Sequence, residues 1–367
     1  MPVFAGTLIA CFAATLGAQT YEIFSVPGAG VGAGFGTPPL SVYPMGSTAG
    51  FSIEADGTRR ALVRDGNGFI DLFDAPGADR GNNLGTRAYA MNSSGDVVGF
   101  YNGVNKPRTG FIRDRRGNFT ILRTAGPPLR DPGRGLFASS INDAGVVSGI
   151  FTDEVGLNHG FIRNRGGRIS IFDVPRMVST TTGSGCCQQG YGSLNQAGDL
   201  VGVATDVTGG LHGFARWRNG DIVVIDAPGV PDGVSGRGTR TAGINSSREI
   251  VGWWTDLAGA THGFLRRPTG EFVMFDAPGS GAGNGQGTQA HGITSAGDIV
   301  GYVIDNNNVS RGFIRNRDGG FEYIDAPGAA TTSGRGTRAL AMDDAGNVGG
   351  WFTDSTGTQI GFVRKRK

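Results

Sequence analysis

The chain has 367 residues, including 67 Gly and 16 Pro, with a formal net charge of +2 and only 17% charged residues. This much Gly excludes a mainly helical protein, and the 22 Phe side chains exclude a disordered one. The near-neutral charge argues against nucleic acid as a partner, because such binding needs an excess of Lys and Arg.

Residues 1–18 are predicted to be a signal peptide that is cleaved after Ala18. They carry no charge, and residues 8–18 form an apolar segment of suitable length that ends in small residues. Two alternatives stay open: residues 8–11 resemble a lipobox that would place a lipid on Cys11, or the segment is a buried N-terminal strand or helix. No other stretch could span a bilayer. We expect a soluble monomer that is secreted, periplasmic or at the cell surface.

A Gly-Phe motif then repeats through the chain at intervals of 49 to 53 residues. It occurs at Gly110-Phe111, Gly160-Phe161, Gly213-Phe214, Gly263-Phe264, Gly312-Phe313 and Gly361-Phe362, with Ala61-Leu62 in the equivalent place upstream. A fixed period near 50 residues indicates stacked supersecondary units that cannot bury their own faces alone.

Each repeat contains four short β segments, as residues 238–279 illustrate with GTRTAGIN, EIVGWWTD, HGFLR and EFVMFDAPG. Tight turns separate the segments, and only the Gly-rich link from D-A-P-G to the next G-T is long. Each repeat is therefore predicted to be a four-stranded antiparallel meander, and the long link is predicted to cross to the next sheet. We call these links the crossing loops.

The repeats indicate a seven-bladed β-propeller, an all-β fold, as one domain over residues 19–367. The blades are predicted to start near Gly36, Gly85, Gly135, Gln188, Gly238, Gly287 and Gly336. The last repeat ends after its third strand, and residues 20–28 match the missing fourth strand. An N-terminal strand that completes the last blade would close the ring and remove the sheet edges.

Two columns of small residues fit this geometry. The sixth residue of each repeat is small, which is expected where first strands converge on an axis: Ser41, Ala90, Ser140, Ser193, Gly243, Gly292 and Ala341. A Gly recurs in every second strand, where close backbone approach is the simplest cause: Gly50, Gly99, Gly149, Gly202, Gly252, Gly301 and Gly350.

The repeats resemble the HAF repeats of secreted bacterial proteins, which combine a His-Ala-Phe motif with an I-N-x-x-G-x-V-V-G hairpin. The matching residues are His159-Gly160-Phe161, His212-Gly213-Phe214 and His262-Gly263-Phe264, and the hairpins that run from Ile141 to Gly149 and from Ile244 to Gly252. The resemblance covers nearly all of residues 36–364. It implies an extracellular, propeller-like protein and no particular reaction.

Several polar residues recur in almost every repeat. Asp recurs at the ends of the second strands (Asp153, Asp206, Asp256, Asp305, Asp354) and of the fourth (Asp74, Asp173, Asp226, Asp276, Asp325). These carboxylates could bind Ca²⁺ or form an acid and base pair, but their recurrence favours turn caps or structural hydrogen bonds. The same reasoning makes His159, His212 and His262 structural rather than metal ligands. The Arg at each third-strand end is predicted to form a solvated rim.

Some candidate site residues are less regular. His291 occurs once on a first strand and is either a general base at the channel or a His packed between blades with satisfied ring nitrogens. Arg87, Arg240, Gln289 and Arg338 share one column at the start of the first strands. Their guanidinium groups could hold carboxylates or sulfates, unless neighbouring Asp side chains neutralise them.

The fourth repeat has a longer crossing loop that contains Cys186 and Cys187. If the chain is exported, these adjacent thiols are expected to form a strained disulfide with each other, giving a rigid ring at the ligand-binding end. Two free thiols or a bond to another molecule are the alternatives.

The sequence contains no phosphate-binding, zinc or hydrolase motif, and neither a cofactor nor a metal is predicted. The leading hypothesis is a secreted, non-enzymatic protein that binds an extracellular glycan or protein on the crossing-loop face, from which the longest and least uniform segments emerge. The alternative is a propeller-type lyase or hydrolase with His291, an Asp and the Arg column at the mouth of the axial channel.

Overall fold

The computed structural model describes residues 12–16, 19–124, 134–175, 177, 194–230 and 233–366. This part of the chain consists of 28 β-strands and one short 3-10 helix at Pro44–Gly46. The predicted all-β class is confirmed. Among the described residues, no helix is long and apolar enough to cross a membrane.

The strands follow the repeats that the sequence predicts, numbered here 1 to 7 from the starts given above. Two strands precede repeat 1: β1 (Phe12–Leu16) and β2 (Gln19–Phe24). Repeats 1 to 3 contain β3 (Pro39–Tyr43), β4 (Ser47–Ile53), β5 (Arg59–Arg64), β6 (Ile70–Phe73), β7 (Gly85–Met91), β8 (Val97–Asn102), β9 (Thr109–Arg113), β10 (Phe119–Ile121), β11 (Gly135–Ile141), β12 (Val147–Thr152), β13 (Asn158–Arg163) and β14 (Ile169–Phe172). Repeats 4 to 7 contain β15 (Leu200–Thr205), β16 (Leu211–Arg216), β17 (Ile222–Ile225), β18 (Gly238–Ile244), β19 (Ile250–Thr255), β20 (Thr261–Arg266), β21 (Phe272–Phe275), β22 (Gly287–Ile293), β23 (Ile299–Ile304), β24 (Ser310–Arg315), β25 (Phe321–Ile324), β26 (Gly336–Met342), β27 (Val348–Thr353) and β28 (Gln359–Lys365).

Each repeat is an antiparallel meander. Repeats 1, 2, 3, 5 and 6 each pair four consecutive strands, while the start of repeat 4 near Gln188 lies outside the described residues. Repeat 7 has the three strands β26 to β28, and β2 pairs antiparallel with β28 from Thr20 opposite Lys365 to Phe24 opposite Gly361. The N-terminal strand therefore occupies the place of a fourth strand. β1 pairs with β2 in turn, and the cleavage predicted after Ala18 would remove it.

Single parallel residue pairs link the third strand of one repeat to the start of the next, as between Thr261 and Gly287. The same kind of pair joins Gln359 of β28 to Gly36 ahead of β3. Within the described residues, the hydrogen-bonded ladders divide into sheets of 16, 8 and 4 strands, and none of these closes on itself.

The apolar core lies between neighbouring repeats. The Phe of every Gly-Phe motif has no exposed surface: Phe111, Phe161, Phe214, Phe264, Phe313 and Phe362. Phe264, for example, packs with Ile225 and Val201 of the repeat before it. Because each repeat contributes one face to each interface, no repeat has a core of its own, as expected of a repeat protein.

The Arg side chains at the third-strand ends contribute to these interfaces. The predicted solvated rim is wrong for several of them, which lie over a Phe ring of the preceding repeat: Arg113 over Phe73 at 4.3 Å, Arg216 over Phe172 at 5.0 Å and Arg315 over Phe275 at 4.9 Å. A guanidinium over an aromatic face is attracted by the ring quadrupole, most strongly when water is excluded. The long side chain thus covers the interface.

The N-terminal strand makes the same contacts with repeat 1. The Arg64 guanidinium lies 5.1 Å from the centre of the Phe24 ring and donates a hydrogen bond of 2.5 Å to Glu22. Arg64 is almost completely buried, with 1% of its surface exposed. The amide of Val26 donates to Thr37 Oγ1, just as Ala75 donates to Thr86 and Ala277 to Thr288 between consecutive repeats.

Candidate functional site

The first strands of consecutive repeats pack against one another, and each described first strand carries a β-bulge at the same position. The bulge residues are Leu40, Tyr89, Ser139, Ala242, His291 and Leu340. A bulge breaks the alternation of side chains and re-aims one of them. Leu40 and Leu340 belong to one apolar cluster with Tyr302, and Tyr89 contacts the rings of Phe51 and Phe137 from the repeats on either side. The bulge residues Leu40, Tyr89 and Leu340 therefore contact side chains of neighbouring repeats.

His291 is packed between aromatic rings. Its ring centre lies 4.9 Å from that of Trp253 and 5.0 Å from that of Tyr302, to which it is nearly parallel. Burial, with the charge of Arg338, lowers the pKa of His291 to about 3. Nε2 has no hydrogen-bond partner among the described residues. The side chain is therefore packed as one reading of the sequence expects but with one nitrogen unsatisfied, and a neutral imidazole with this pKa is a weak general base.

The Arg column lies against aromatic side chains. Arg87 stands between Phe51 and Phe100 at 5.9 and 5.1 Å, and Arg338 stands 5.0 Å from both Tyr302 and Trp351. In five of the seven repeats the residue that follows the second-strand Gly is aromatic. In repeats 2, 5, 6 and 7 this residue lies opposite the Arg column in register, as Trp253 is opposite Arg240. Sequence analysis missed this second column: Phe51, Phe100, Trp253, Tyr302 and Trp351.

The described carboxylates do not neutralise these guanidinium groups. Arg87 donates to Asn83 and Asn102, Arg240 donates to Thr255 Oγ1 at 3.3 Å, and burial lowers the pKa of both. Arg338 has no hydrogen bond or ion pair within the described part of the chain, and its neighbour Gln289 accepts from Tyr302 at 2.6 Å. The alternative of Asp partners is therefore not what the structure contains. The positive charge of these three guanidinium groups is therefore not paired with a carboxylate in the part of the chain that the structure describes.

A surface pocket of about 450 Å³ adjoins the Arg column in repeat 2. It is lined by residues 82–84 of the crossing loop and by residues 102–106 and Arg108 of the loop between β8 and β9. Arg87 bonds two of the lining residues, with Nη2 2.7 Å from Asn83 Oδ1 and Nη1 3.3 Å from Asn102 Oδ1. The pocket volume is within the usual range for small-ligand sites.

The recurring Asp and His side chains form local structural contacts. In repeat 4, Asp206 Oδ1 accepts from the amides of Thr208 and Gly210, which caps the turn. His212 then joins the ends of the second and fourth strands, with Nε2 3.2 Å from Asp206 and Nδ1 2.9 Å from Asp226. His159 and His262 do the same in their repeats, and Arg311 bonds Asp325 in the equivalent place. Among the described residues, no group of His, Cys, Asp and Glu could hold a metal.

These contacts predict a pH dependence of stability. Burial opposes the charged form of His212, but the hydrogen bonds and charges of Asp206 and Asp226 outweigh it and raise its pKa, while the pKa of Asp206 falls to about 2. The stabilisation from His212 should be fully present below its unfolded pKa and disappear as pH rises through the folded one, while that from Asp206 should disappear towards pH 2. We expect His212→Gln to cost up to about 1 kcal/mol at pH 5.5 and less at pH 8.5. Thermal melts of His212→Gln and of Arg311→Gln, whose cost should not change over this range, check it; equal costs of His212→Gln at both pH values would contradict it.

Cys186 and Cys187, with the start of repeat 4, lie outside the described residues. Their predicted disulfide remains a prediction.

Similarity to solved structures extends over nearly the whole chain. Virginiamycin B lyase from Staphylococcus aureus is 15% identical, with a TM-score of 0.54 and coverage of 95% of this chain and 100% of the lyase. The β-propeller domain of the Trilobed protease from Pyrococcus furiosus is 9% identical, with a TM-score of 0.53 and coverage of 98% and 93%. The fold is a β-propeller. The BP39L lectin from Burkholderia pseudomallei also shares it, at 11% identity, a TM-score of 0.50 and coverage of 90% and 99%.

These likenesses concern the fold alone, because identities this low carry no information about ligands. No protein family model matches the chain, and no curated protein matches it.

Proposed function

We propose that the chain is a secreted, non-enzymatic β-propeller that binds an extracellular glycan or protein on its crossing-loop face. The observation that carries this proposal is the Arg column: Arg87, Arg240 and Arg338 lie at the crossing-loop ends of the first strands and have no carboxylate partner among the described residues. Arg87 and Arg338 also lie beside aromatic rings. Charged donors beside apolar rings are suited to ligands that combine acidic or polar groups with C–H surfaces. One protein of similar fold is a lectin, so the scaffold is compatible with glycan binding.

The propeller is proposed to have seven blades in a closed ring, with β2 as the outer strand of the last blade. Three contacts support closure: the pairing of β2 with β28, the pair between Gln359 and Gly36, and the burial of Arg64 against β2. The first reproduces the pairing of third and fourth strands within a repeat, and the other two reproduce contacts that join consecutive repeats. Closure would pack the last repeat against the first, so that only short, protected strand edges remain.

Export is also part of the proposal. It rests on the apolar, uncharged residues 1–18 and on the resemblance to HAF repeats of secreted bacterial proteins. Mass spectrometry of the protein purified from its native host would test it, with a mature N-terminus at Gln19 as the expected result.

Binding can be tested on arrays of polysaccharides and extracellular proteins. We expect a ligand for the wild type and at least tenfold weaker binding by Arg338→Met, which keeps the side-chain length and removes the charge. Arg267→Met is the matched control, because Arg267 pairs with Glu271 on an exposed turn. A wild type that binds nothing on either array would overturn the proposal. So would turnover of a lyase or esterase substrate that His291→Ala abolishes.

A further inference from the structure

We propose that the repeat-2 pocket, formed by residues 82–84, 102–106 and Arg108, is a subsite for the anionic group of an acidic sugar in a polysaccharide. This inference rests on the proposed function, since it gives the ligand of the crossing-loop face a chemical class. The anionic group is a carboxylate or a sulfate ester, both of which accept two hydrogen bonds from neighbouring donors.

The Nδ2 group of Asn83 offers hydrogen-bond donors at the pocket. A guanidinium group can only donate, so the atoms of Asn83 and Asn102 that face Arg87 must be their carbonyl oxygens. Asn102 Nδ2 then donates to the backbone oxygen of Asn83 at 3.2 Å. The Nδ2 group of Asn83 makes no hydrogen bond within the described residues. Because Arg87 donates to Oδ1, the Asn83 amide is oriented with its Nδ2 group available to donate to a ligand.

Positive charge surrounds these donors. Arg87 and Arg108 both lie over the Phe100 ring, at 5.1 and 5.8 Å. Burial lowers the pKa of Arg87 to about 10, and repulsion from the charges of Arg59 and Arg108 acts in the same direction. In the described part of the chain none of the three forms an ion pair, and Lys106 is the one pocket cation that does, with Asp79 at 2.9 Å. Arg108 lies 5.8 Å from the Phe100 ring and has no hydrogen bond from its side chain within the described residues. A bound anion would relieve this repulsion.

Asn83 is present at the cost of an unfavourable backbone conformation. It has φ of 63°, in the left-handed region, and the equivalent positions of the other described crossing loops are Gly residues with positive φ: Gly34, Gly236, Gly285 and Gly334. Gly adopts this conformation without strain, whereas any side chain adds some. Repeat 2 has a side chain at a position where the other described repeats have none. This side chain, of Asn83, lines the pocket.

The loop between β8 and β9 departs from the other repeats at the same place. Gly103 stands where repeats 3 to 7 have the turn-capping Asp, and Thr109 stands where repeats 3 to 5 have His. Asp79 of the crossing loop takes over the capping, with Oδ2 2.8 Å from the amide of Val104. The turn at the pocket entrance therefore differs from those of repeats 3 to 7, because its capping carboxylate comes from the crossing loop and also pairs with Lys106.

The pocket fits an acidic sugar better than an acidic peptide. Four Asn residues line it, and an amide can both donate to and accept from sugar hydroxyls. Val104 at the rim is 59% exposed and offers an apolar contact for the C–H face of a sugar ring. A peptide carboxylate would use the Arg groups and leave most of the amides without partners.

The test is Asn83→Gly, which restores the residue of the other repeats. We expect its melting temperature to change little, because relief of the left-handed strain offsets the lost hydrogen bond from Arg87 to Asn83 Oδ1. Its affinity for polygalacturonate or dextran sulfate should fall at least tenfold. Asn308→Gly is the matched control: Asn308 has φ of 60° where other repeats have Gly, it lies outside the pocket, and its substitution should leave affinity unchanged.

The probes separate the ligand classes. Binding of polygalacturonate alone identifies a carboxylate, binding of dextran sulfate alone a sulfate ester, and both should weaken with salt. Preference for polyglutamate, or unchanged affinity of Asn83→Gly, would overturn the subsite. If that unchanged affinity accompanies a loss in Arg338→Met, the proposed function stands and only the subsite fails. If the wild type binds only neutral glycans, the subsite also fails and the proposed function stands, whereas no binding on either array overturns both.

Discussion

Deletion of residues 19–30 should abolish the cooperative unfolding of the protein. The deletion removes β2, and with it the strand paired to β28, the buried Phe24 and the carboxylate that accepts from the buried Arg64. Loss of a partner for a buried charge is strongly destabilising, and β28 would become an exposed edge. Calorimetry or circular dichroism melts should show a broad, early transition or none. Deletion of residues 1–18 is the control and should melt like the wild type.

A point substitution makes the same test in the full chain. Phe24 on β2 and Phe73 on β6 occupy equivalent places, opposite Gly361 and Ala61 respectively, and both are buried. If β2 completes the last blade, Phe24→Ala should destabilise as much as Phe73→Ala, by about 3–5 kcal/mol in each case. A Phe24→Ala protein that unfolds with wild-type stability would show that the termini do not pair in solution.

The repeated columns made the fold predictable from the sequence. The Gly-Phe motif marks a third strand whose Phe is buried in all six repeats that contain it. The match between residues 20–28 and the fourth strands predicts the pairing of β2 with β28. Because seven copies of each position are available, a chance residue in one copy does not obscure the pattern. Local turn chemistry and strand alternation agree with the same register, which is typical of a well-specified fold.

The partners of the Arg residues were less predictable. Sequence gives the column of Arg87, Arg240 and Arg338 but cannot say whether a carboxylate reaches them, because that depends on distances between repeats. The Arg residues at third-strand ends show the same difficulty: an Arg near a turn suggests exposure, yet Arg64 is buried beneath β2. Long aliphatic stems allow a charged residue to cover an apolar interface.

The sequence contains exceptions to the repeat that mark the repeat-2 pocket. Asn83 is a non-Gly residue at a column of Gly, and Gly103 and Thr109 stand where repeats 3 to 5 have Asp and His. A deviation is informative only once the role of the column is known. The structure shows that the Gly column is needed for a left-handed backbone. It also shows that Asn83, the exception in this column, lines the pocket.

Gly252→Ala should destabilise the protein by about 3 kcal/mol or more, as overpacking of a rigid core does. A Cβ at Gly252 would overlap the carbonyl oxygen of Arg240 and would come within 2.9 Å of the Phe264 ring. Neither neighbour can yield: the carbonyl belongs to the first strand, and Phe264 has no exposed surface. Relief would require the first and second strands to separate.

The cost of Gly252→Ala is steric, since Gly252 does not have a positive φ and Ala could adopt its backbone conformation. Gly166→Ala is therefore the matched control: Gly166 also lacks a positive φ, and the nearest atom to an added Cβ is 3.5 Å away. It should be neutral or slightly stabilising, because Ala reduces the entropy of the unfolded chain. Urea unfolding of the two variants measures the difference directly. Equal midpoints would mean that first and second strands are not held at this separation, and that the Gly column has another cause.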